Sequence, residues 1–545
     1  MDQALITAKS HWEKGEIEEA QKLYQAVLQA FPQNKRAQKG LAALNKPKQF
    51  TVTQSISQDI IEKLLSLYNQ GQLAAAVEQA TGLKEQYPEA LIVWNILGAA
   101  NKGLNRISKA SEAFKKVTEL NPTYADGFNN LGATLQEQGK LDEAIEAYNK
   151  ALSLKSDYVG AYNNMGNALQ EKGKLDEAID AYDKELSLKP DDAEVYNNRG
   201  VALQIQGKLD EAIEAYNRAV SLKPDYAEAH LNLSFALLNF GDFRKGLVEY
   251  EWRWKTSDFS SKRRHFSQPL WDGVETLKGR RILLWGEQGP QDMIVWSFCL
   301  PYLSSHAGHC IIECQEKLVP LLARSFPNFE VKAENRSLDN YRNDFDFHLP
   351  MGSLFRHFIP EISKKTKPDA FIIPDPARVN FWKKRLNSLG NGPFVGISWK
   401  SPVMNPKRLP NYTKISDWAP VLRLSNVTFI NLQSSDFRDD LAAIHDEFGI
   451  KVHHFDDLNH YDNLNDVAAL SAALDIAVSV STAVSAIAAG VGTPTKLVAW
   501  HQSSWNNLLL APRGPSVDTF ERNTWEPWDE VFNAIAKDIG KYQGT

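Results

Sequence analysis

The sequence predicts two joined architectures, a helical-repeat solenoid followed by an α/β part with two parallel-sheet lobes. Three observations carry this. Glycines recur every 34 residues, as Gly132, Gly166 and Gly200 in one series and Gly139, Gly173, Gly207 and Gly241 in another. The period stops after Trp254. From Arg280 onward short apolar runs alternate with helical windows, a β-α-β rhythm that implies parallel strands.

The bulk numbers agree. A chain of 545 residues is too long for one core, so two to four domains are expected. At 43% hydrophobic and 23% charged it reads as soluble and globular, and a net charge of -6 gives no reason to expect nucleic acid. Cys299, Cys310 and Cys314 are too few for a disulfide framework. Cys310 and Cys314 read as small buried hydrophobes in a strand. "MDQALITAKSHWEKGEIEEA" has no apolar signal-peptide core. "IAVSVSTAVSAIAAGVG" (476–492) falls short of the roughly 20 apolar residues that cross a bilayer. A cytoplasmic location without membrane insertion is expected.

Each repeat reads as a pair of helices. "GKLDEAI.AY" starts at Gly139, Gly173 and Gly207, and Pro122, Pro190 and Pro224 close their units, with Ser156 at the matching place. Ala144, Ala178 and Ala212 let helices approach closely, and Tyr148, Tyr182 and Tyr216 are expected to fill space between repeats. Weaker copies extend the array, giving a divergent unit at 1–34, a linker at 35–57 and the array proper at 58–258. The last unit runs into "GLVEYEWRW", whose aromatics are expected to cap the array. The 34-residue period and these residues resemble the tetratricopeptide repeat, which holds partners and does not catalyse. Asn130, Asn164, Asn198 and Asn232 stand on the first helices, beside Asn129, Asn163 and Asn197. Asparagine is a mediocre helix former, so the doublet needs a reason. One reading is a ladder of amides on the concave face that binds an extended peptide backbone of a protein partner. The other is that these amides tie neighbouring helices together.

A polar, basic connector, "TSDFSSKRRHFSQPLWDG", leads through 259–279 into a first lobe at 280–373 and a second at 374–545. "RILLWG", "HCIIEC" and "DFDFHLPM" supply strands of the first lobe; "FVGISWKS", "VTFINLQSS", "IAVSVST" and "TKLVAW" supply strands of the second. Two Rossmann-like lobes place a crevice between them, and ligands in such folds lie at the carboxyl ends of the strands. "WGEQGPQD", "VGISWKS", "INLQSSD", "DVAALSAALDIAVSVSTAV" and "GVGTPTKLVAW", in this order, resemble the GT-B glycosyltransferases. More narrowly they resemble bacterial TPR-linked enzymes akin to flagellin glycosyltransferases and heptosyltransferases, in a plan similar to O-GlcNAc transferase.

The resemblance implies a nucleotide-sugar donor in the second lobe, an acceptor in the first, and no cofactor or metal. The acidic pairs at 439–440 and 456–457 and the histidine pair at 453–454 also lack a ligand spacing. On the donor side, Lys400 with Ser398 and Ser401 follows a strand, Arg408 lies in the next loop, and Gln433 ends another strand to meet a base or ribose. Ser481, Thr482 and Ala483 open a helix whose N-terminal N–H groups suit a phosphate. Lys400 and Arg408 read equally as solvated loop charges. Asp466 reads first as an N-terminal helix acid. On the acceptor side the resembling loop runs G-E-Q-G-x-G-D, and Glu287, Gln288, Gly289 and Asp292 match it, with Asp292 as base.

Pro290 and Gln291 occupy the variable position and the second glycine, where glutamine does not readily take the positive φ that glycine permits. Ala486 stands where the relatives carry a histidine. The reading is a cytoplasmic protein O-glycosyltransferase that acts with inversion on an acceptor held by the repeats. The alternative, which the two departures support, is a non-catalytic scaffold whose transferase-like half is used for protein interaction.

Overall fold

The computed structural model describes residues 4–5, 7–8, 17–31, 34–44, 56–359, 370–390, 392–401, 413–500, 517–522 and 526–541. The chain divides into two compact units, Met1–Ala161 and Tyr162–Thr545. The division falls within helix Val159–Glu171, inside the array and not at its end.

In the first unit, helices Ile17–Ala30, Lys35–Leu44, Gln58–Asn69, Leu73–Gln86, Leu91–Gly103, Ile107–Leu120, Ala125–Glu137 and Leu141–Leu154 follow one another. Helix Lys35–Leu44 stands where a linker was expected. "KRAQKGLAAL" is rich in helix formers, and Gly40 leaves room for the Tyr24 ring, which would lie 2.5 Å from a methyl group there. Tyr24 and Ala37 belong to one small buried cluster.

The turn inside each helix pair needs a left-handed residue. Gly71 (φ +72), Asn105 (φ +56) and Gly139 (φ +74) supply it in the first unit, each 34 residues from the next. Asn105 shows that the divergent unit keeps its register, because a short polar side chain tolerates this conformation. The aromatic of each second helix packs on the glycine of its own first helix. A methyl at Gly98 would meet the Phe114 ring at 2.7 Å, and one at Gly132 the Tyr148 ring at 2.6 Å. The sequence had suggested that the tyrosines fill space between repeats; each instead packs on the glycine of the first helix in its own repeat. Tyr148 Oη, donating to Gln136 Oε1 at 3.0 Å, also stays in its own repeat.

The second unit continues with helices Leu175–Leu188, Ala193–Ile205, Leu209–Leu222, Ala227–Phe240 and Phe243–Glu249, then a 3-10 turn, Tyr250–Lys255. Two parallel sheets follow. The first has strands β1 (Arg281–Trp285), β2 (His309–Cys314), β3 (Glu330–Ala333) and β4 (Phe347–Pro350), in the order β3-β2-β1-β4. The second has β5 (Phe394–Ser398), β6 (Thr428–Asn431), β7 (Val452–His453), β8 (Ile476–Val480), β9 (Thr495–Trp500) and β10 (Val517–Arg522), in the order β10-β9-β8-β5-β6-β7. Every pairing is parallel. β1, β5 and β8 are short, fully or almost fully buried apolar runs, as parallel strands covered on both faces require. This half is an α/β structure.

One buried cluster runs from Leu238, Leu247 and Tyr250 at the end of the repeats, through Ile282, Trp296 and Leu349, to Val467, Val484 and Ile487 of the second lobe. The outer layer of the second sheet has its own cluster, with Val395, Ile397 and Val478 against Trp418 and Phe532. The last repeat, the first lobe and the inner helices of the second lobe thus share a core. At about 25 cal/mol per Å² of apolar surface buried, such a seam is a substantial cohesive term. No helix among the described residues is long and apolar enough to cross a membrane.

Candidate functional site

In an open α/β sheet a ligand crevice forms where the strand order reverses. The reversals lie between β1 and β4 in the first sheet and between β5 and β8 in the second. The predicted residues of "GEQGPQD" stand at the first, and those of "SWKS" and "SVSTA" at the second.

At the first reversal β1 ends in Trp285. Gly286 N donates to Glu313 O at 2.8 Å, which keeps the outgoing chain beside β2. Gln288 then takes φ +61, and its N–H donates to Ser261 Oγ at 2.5 Å. Gly289 precedes helix Pro290–Ser297, and Pro290 is its first residue, where a missing N–H costs nothing. Gln291 is inside this helix, so it needs no left-handed conformation. The unusual backbone falls on Gln288 instead, a residue that matches the resembling loop. Asp292 Oδ2 accepts the Gly289 N–H at 3.2 Å and so helps to cap the helix.

Glu287 turns inward. Its side chain is 1% exposed and meets Arg253, whose side chain is 0% exposed. Arg253 Nε donates to Oε2 at 3.0 Å and Nη2 to Oε1 at 3.1 Å. Arg253 Nη2 also donates to Ser353 Oγ at 2.9 Å, and Nη1 to Glu251 Oε1 at 2.9 Å. Gly352 leaves space for the carboxylate, because a methyl there would lie 1.8 Å from Glu287 Oε1. Burial pushes the Glu287 carboxyl above its ordinary range, against the pull of Arg253. In this arrangement Glu287 anchors the loop and is closed to an acceptor.

At the second reversal, Gln433 is fully buried and fully used. Its Oε1 accepts from Ser398 Oγ (3.2 Å), Trp399 N (2.9 Å) and Lys400 N (3.0 Å). Its Nε2 donates to Lys400 O and Ser435 Oγ, each at 2.8 Å. It ties the loop after β5 to the loop after β6, and so does not point an amide at a base or ribose. Lys400 Nζ pairs with Asp440 Oδ2 at 2.5 Å, and Trp399 Nε1 donates to the same oxygen at 2.8 Å. Ser398 is buried and Ser401 half-buried, while Arg408 lies outside the described residues. Thr482 precedes helix Ala483–Gly490, and its N–H donates to Ser485 Oγ at 3.1 Å.

The two reversals meet. Gln291 Nε2 donates to Ser481 Oγ at 2.8 Å, from the start of one helix to a residue two positions before the other. Ala486 is 2% exposed and belongs to the shared core with Ile294 and Trp296. It is a packing residue here. Asp466 accepts from Arg378 Nε and Nη2, each at 2.7 Å, and from Trp382 Nε1 at 3.0 Å, while Asn463 caps its helix. Among the described residues no group of three or more His, Cys, Asp or Glu side chains is placed to hold a metal. Burial pushes the Cys310 and Cys314 thiols up to about 12, which leaves them unreactive.

In the repeats of the second unit, Asn198 Nδ2 donates to Asn163 Oδ1 at 3.1 Å and Asn232 Nδ2 to Asn197 Oδ1 at 2.9 Å. Each bond joins the first helices of successive repeats, so these amides tie the array together. Asn130 and Asn164 are half-buried on their own first helices. Arg253, Ser353 and Ser261 had no expected role in the sequence, and Asp440 entered only as half of an acidic pair without ligand spacing. Only "EWRW" carried a signal, an arginine set among aromatics.

Residues 7–45, 92–124, 113–146, 135–173, 163–227 and 203–249 match tetratricopeptide-repeat models. The N-terminal part of the chain is therefore an array of these repeats. The chain is also similar to Protein FlbA of Caulobacter vibrioides (strain ATCC 19089 / CIP 103742 / CB 15), 30% identical over 317 residues that cover 55% of this chain and 53% of FlbA. It spans about half the length of that relative. Among solved structures, MamA is 26% identical at a TM-score of 0.30, over 32% of this chain and 99% of that one. YrrB, described as a TPR protein with an unusual peptide-binding site, is 22% identical at a TM-score of 0.29, over 31% and 88%. Pseudomonas aeruginosa pilF is 19% identical at a TM-score of 0.32, over 35% and 87%.

Proposed function

We propose that this chain is a protein-modifying glycosyltransferase whose repeats hold a protein acceptor while the α/β half transfers a sugar from a nucleotide-sugar donor. The observation that carries the reading is the meeting of the two strand-order reversals at Gln291 and Ser481. A donor and an acceptor bound at the two reversals would lie against each other. Ser481, Thr482, Lys400 and Ser401 supply hydroxyls and a cation beside the second reversal, the chemistry a diphosphate needs. The Lys400–Asp440 pair is half-exposed on both sides, so a phosphate can compete for the ammonium. Asp292 is the acid nearest this meeting point in sequence and is half-buried, so it is assigned the base role. No metal or cofactor enters the reading, and the sugar and nucleotide are left to the experiment.

One observation favours the alternative scaffold. Glu287, the other acid of the loop, is sealed by Arg253, as in a structural ion pair. Thermal unfolding in the presence of UDP, GDP, ADP, CMP and their sugar conjugates separates the two readings. A ligand at 100 times its Kd adds about 2.7 kcal/mol, roughly a few degrees of Tm in the unit that binds it. One nucleotide should stand out, and Lys400→Met should abolish its shift. A flat response across the panel would transfer the assignment to a scaffold that binds protein without turning over a donor.

A further inference from the structure

Consecutive side chains leave the turn Tyr250–Lys255 for different parts of the second unit. Trp252 lies flat on the His230 ring of the last repeat, with centroids 3.8 Å apart and planes 3° apart. Lys255 Nζ covers the Trp252 ring at 3.9 Å. His230 is itself fixed, with Nδ1 2.5 Å from Glu249 Oε2 and Nε2 3.1 Å from Pro224 O. The next residue, Arg253, enters the first lobe and grips Glu287 and Ser353, which follow β1 and β4. The Tyr250 ring stands between the two, 6.3 Å from Phe235 of the last repeat and 6.1 Å from Trp296 of helix Pro290–Ser297.

Glu287 immediately precedes Gln288, whose φ of +61 a side-chain-bearing residue adopts only where its surroundings hold it. The holders are Ser261 Oγ on one side and the Arg253–Glu287 pair on the other. A bidentate guanidinium–carboxylate pair has a narrow geometry, and a packed core does not deform continuously. A displacement of Trp252 therefore reaches the loop through Arg253 or breaks the pair.

We propose that the turn Tyr250–Lys255 is a strut through which the last repeat sets the shape of loop 286–292, with Arg253 as the positioning residue. The strut is independent of whether the crevice turns over a donor. It would couple occupancy of the array to the crevice in a transferase and in a scaffold alike.

Hydrogen exchange on the full chain tests it. Trp252→Ala removes the stack from the strut side, and His230→Ala removes it from the repeat side. Both substitutions leave Arg253, Glu287 and the loop itself intact. The strut requires amides of 286–292 to exchange about tenfold faster in both variants, while β2 amides (309–314) keep the wild-type rate. The proposal fails if loop exchange stays at the wild-type rate in either variant. It also fails if the rise is equally large in β2, since that would be general loosening of the lobe.

Discussion

Replacing Glu185 with alanine should stabilise the repeats, and the gain should grow with pH. Glu185 lies on helix Leu175–Leu188 at the position held by Ala151 and Ala219 in the neighbouring repeats, both 0% exposed. The residue is 3% exposed, and its Oε2 has no hydrogen-bond partner in the described structure. Burial raises its pKa from 4.5 to about 7, with Asp192 adding repulsion and Lys189 opposing it. The folded state therefore binds this proton more tightly than the unfolded chain does. The contribution of this carboxyl to stability is greatest below about 4.5 and falls as pH rises towards 7. At about 1.36 kcal/mol per pKa unit the full loss is roughly 3 kcal/mol, an upper limit that local relaxation reduces to about 1–3. Near pH 5 the acid is mostly protonated, and alanine gives up its methylene packing, so the variant should be neutral or slightly weaker there. Urea unfolding followed by far-UV circular dichroism at pH 5 and pH 8 gives the two differences. A variant-minus-wild-type gap that is the same at both values would refute the argument, because it would mean that the Glu185 carboxyl titrates as an exposed acid.

Further substitutions probe the repeats and the lobe. Gly200→Ala would place a methyl 2.7 Å from the Tyr216 ring and should cost about 1–3 kcal/mol in urea unfolding, through overpacking alone, since Gly200 is helical. Gly207→Ala falls at the turn, where φ is +78, and should cost about 1–2 kcal/mol from backbone strain. Arg253→Met leaves the Glu287 carboxylate buried without its partner and should cost about 3–5 kcal/mol. The double variant Arg253→Met/Glu287→Met should recover most of that loss in the same assay.

The repeat half was legible because its signals are local and recur. The turn glycines at 139, 173, 207 and 241 announce themselves by spacing, and each takes the left-handed conformation that the turn needs. The partner of each tyrosine was not legible. Two 34-residue series give every tyrosine a glycine in its own repeat and another in the next, and only the packing selects the first. Helix Lys35–Leu44 was missed because the break at "NKP" was extended backward over good helix formers. In the α/β half the apolar runs anticipated a parallel sheet in each lobe but not the edge strands β3 and β10, and the partners of the polar side chains stayed hidden. Gln433 looks like a ligand residue by its place at a strand end, but three donors from residues 398–400 already converge on its oxygen.

The same ambiguity explains why departures from the resembling motifs were poor guides here. Pro290 and Gln291 looked like damage to a glycine loop, yet proline begins the helix and glutamine reaches Ser481. Ala486 looked like a lost donor, yet it lies in a core that joins the lobes. Residues that replace a motif can serve a different contact, and sequence spacing does not reveal which contact is made. The matched residues were no safer, since Glu287 keeps the identity of a loop acid while Arg253 holds it out of reach. The groups that cross between the two strand-order reversals or remain half-exposed beside them are Gln291, Ser481, Lys400 and Asp292, and any anion drawn to the Lys400 ammonium would have to compete with Asp440 for it.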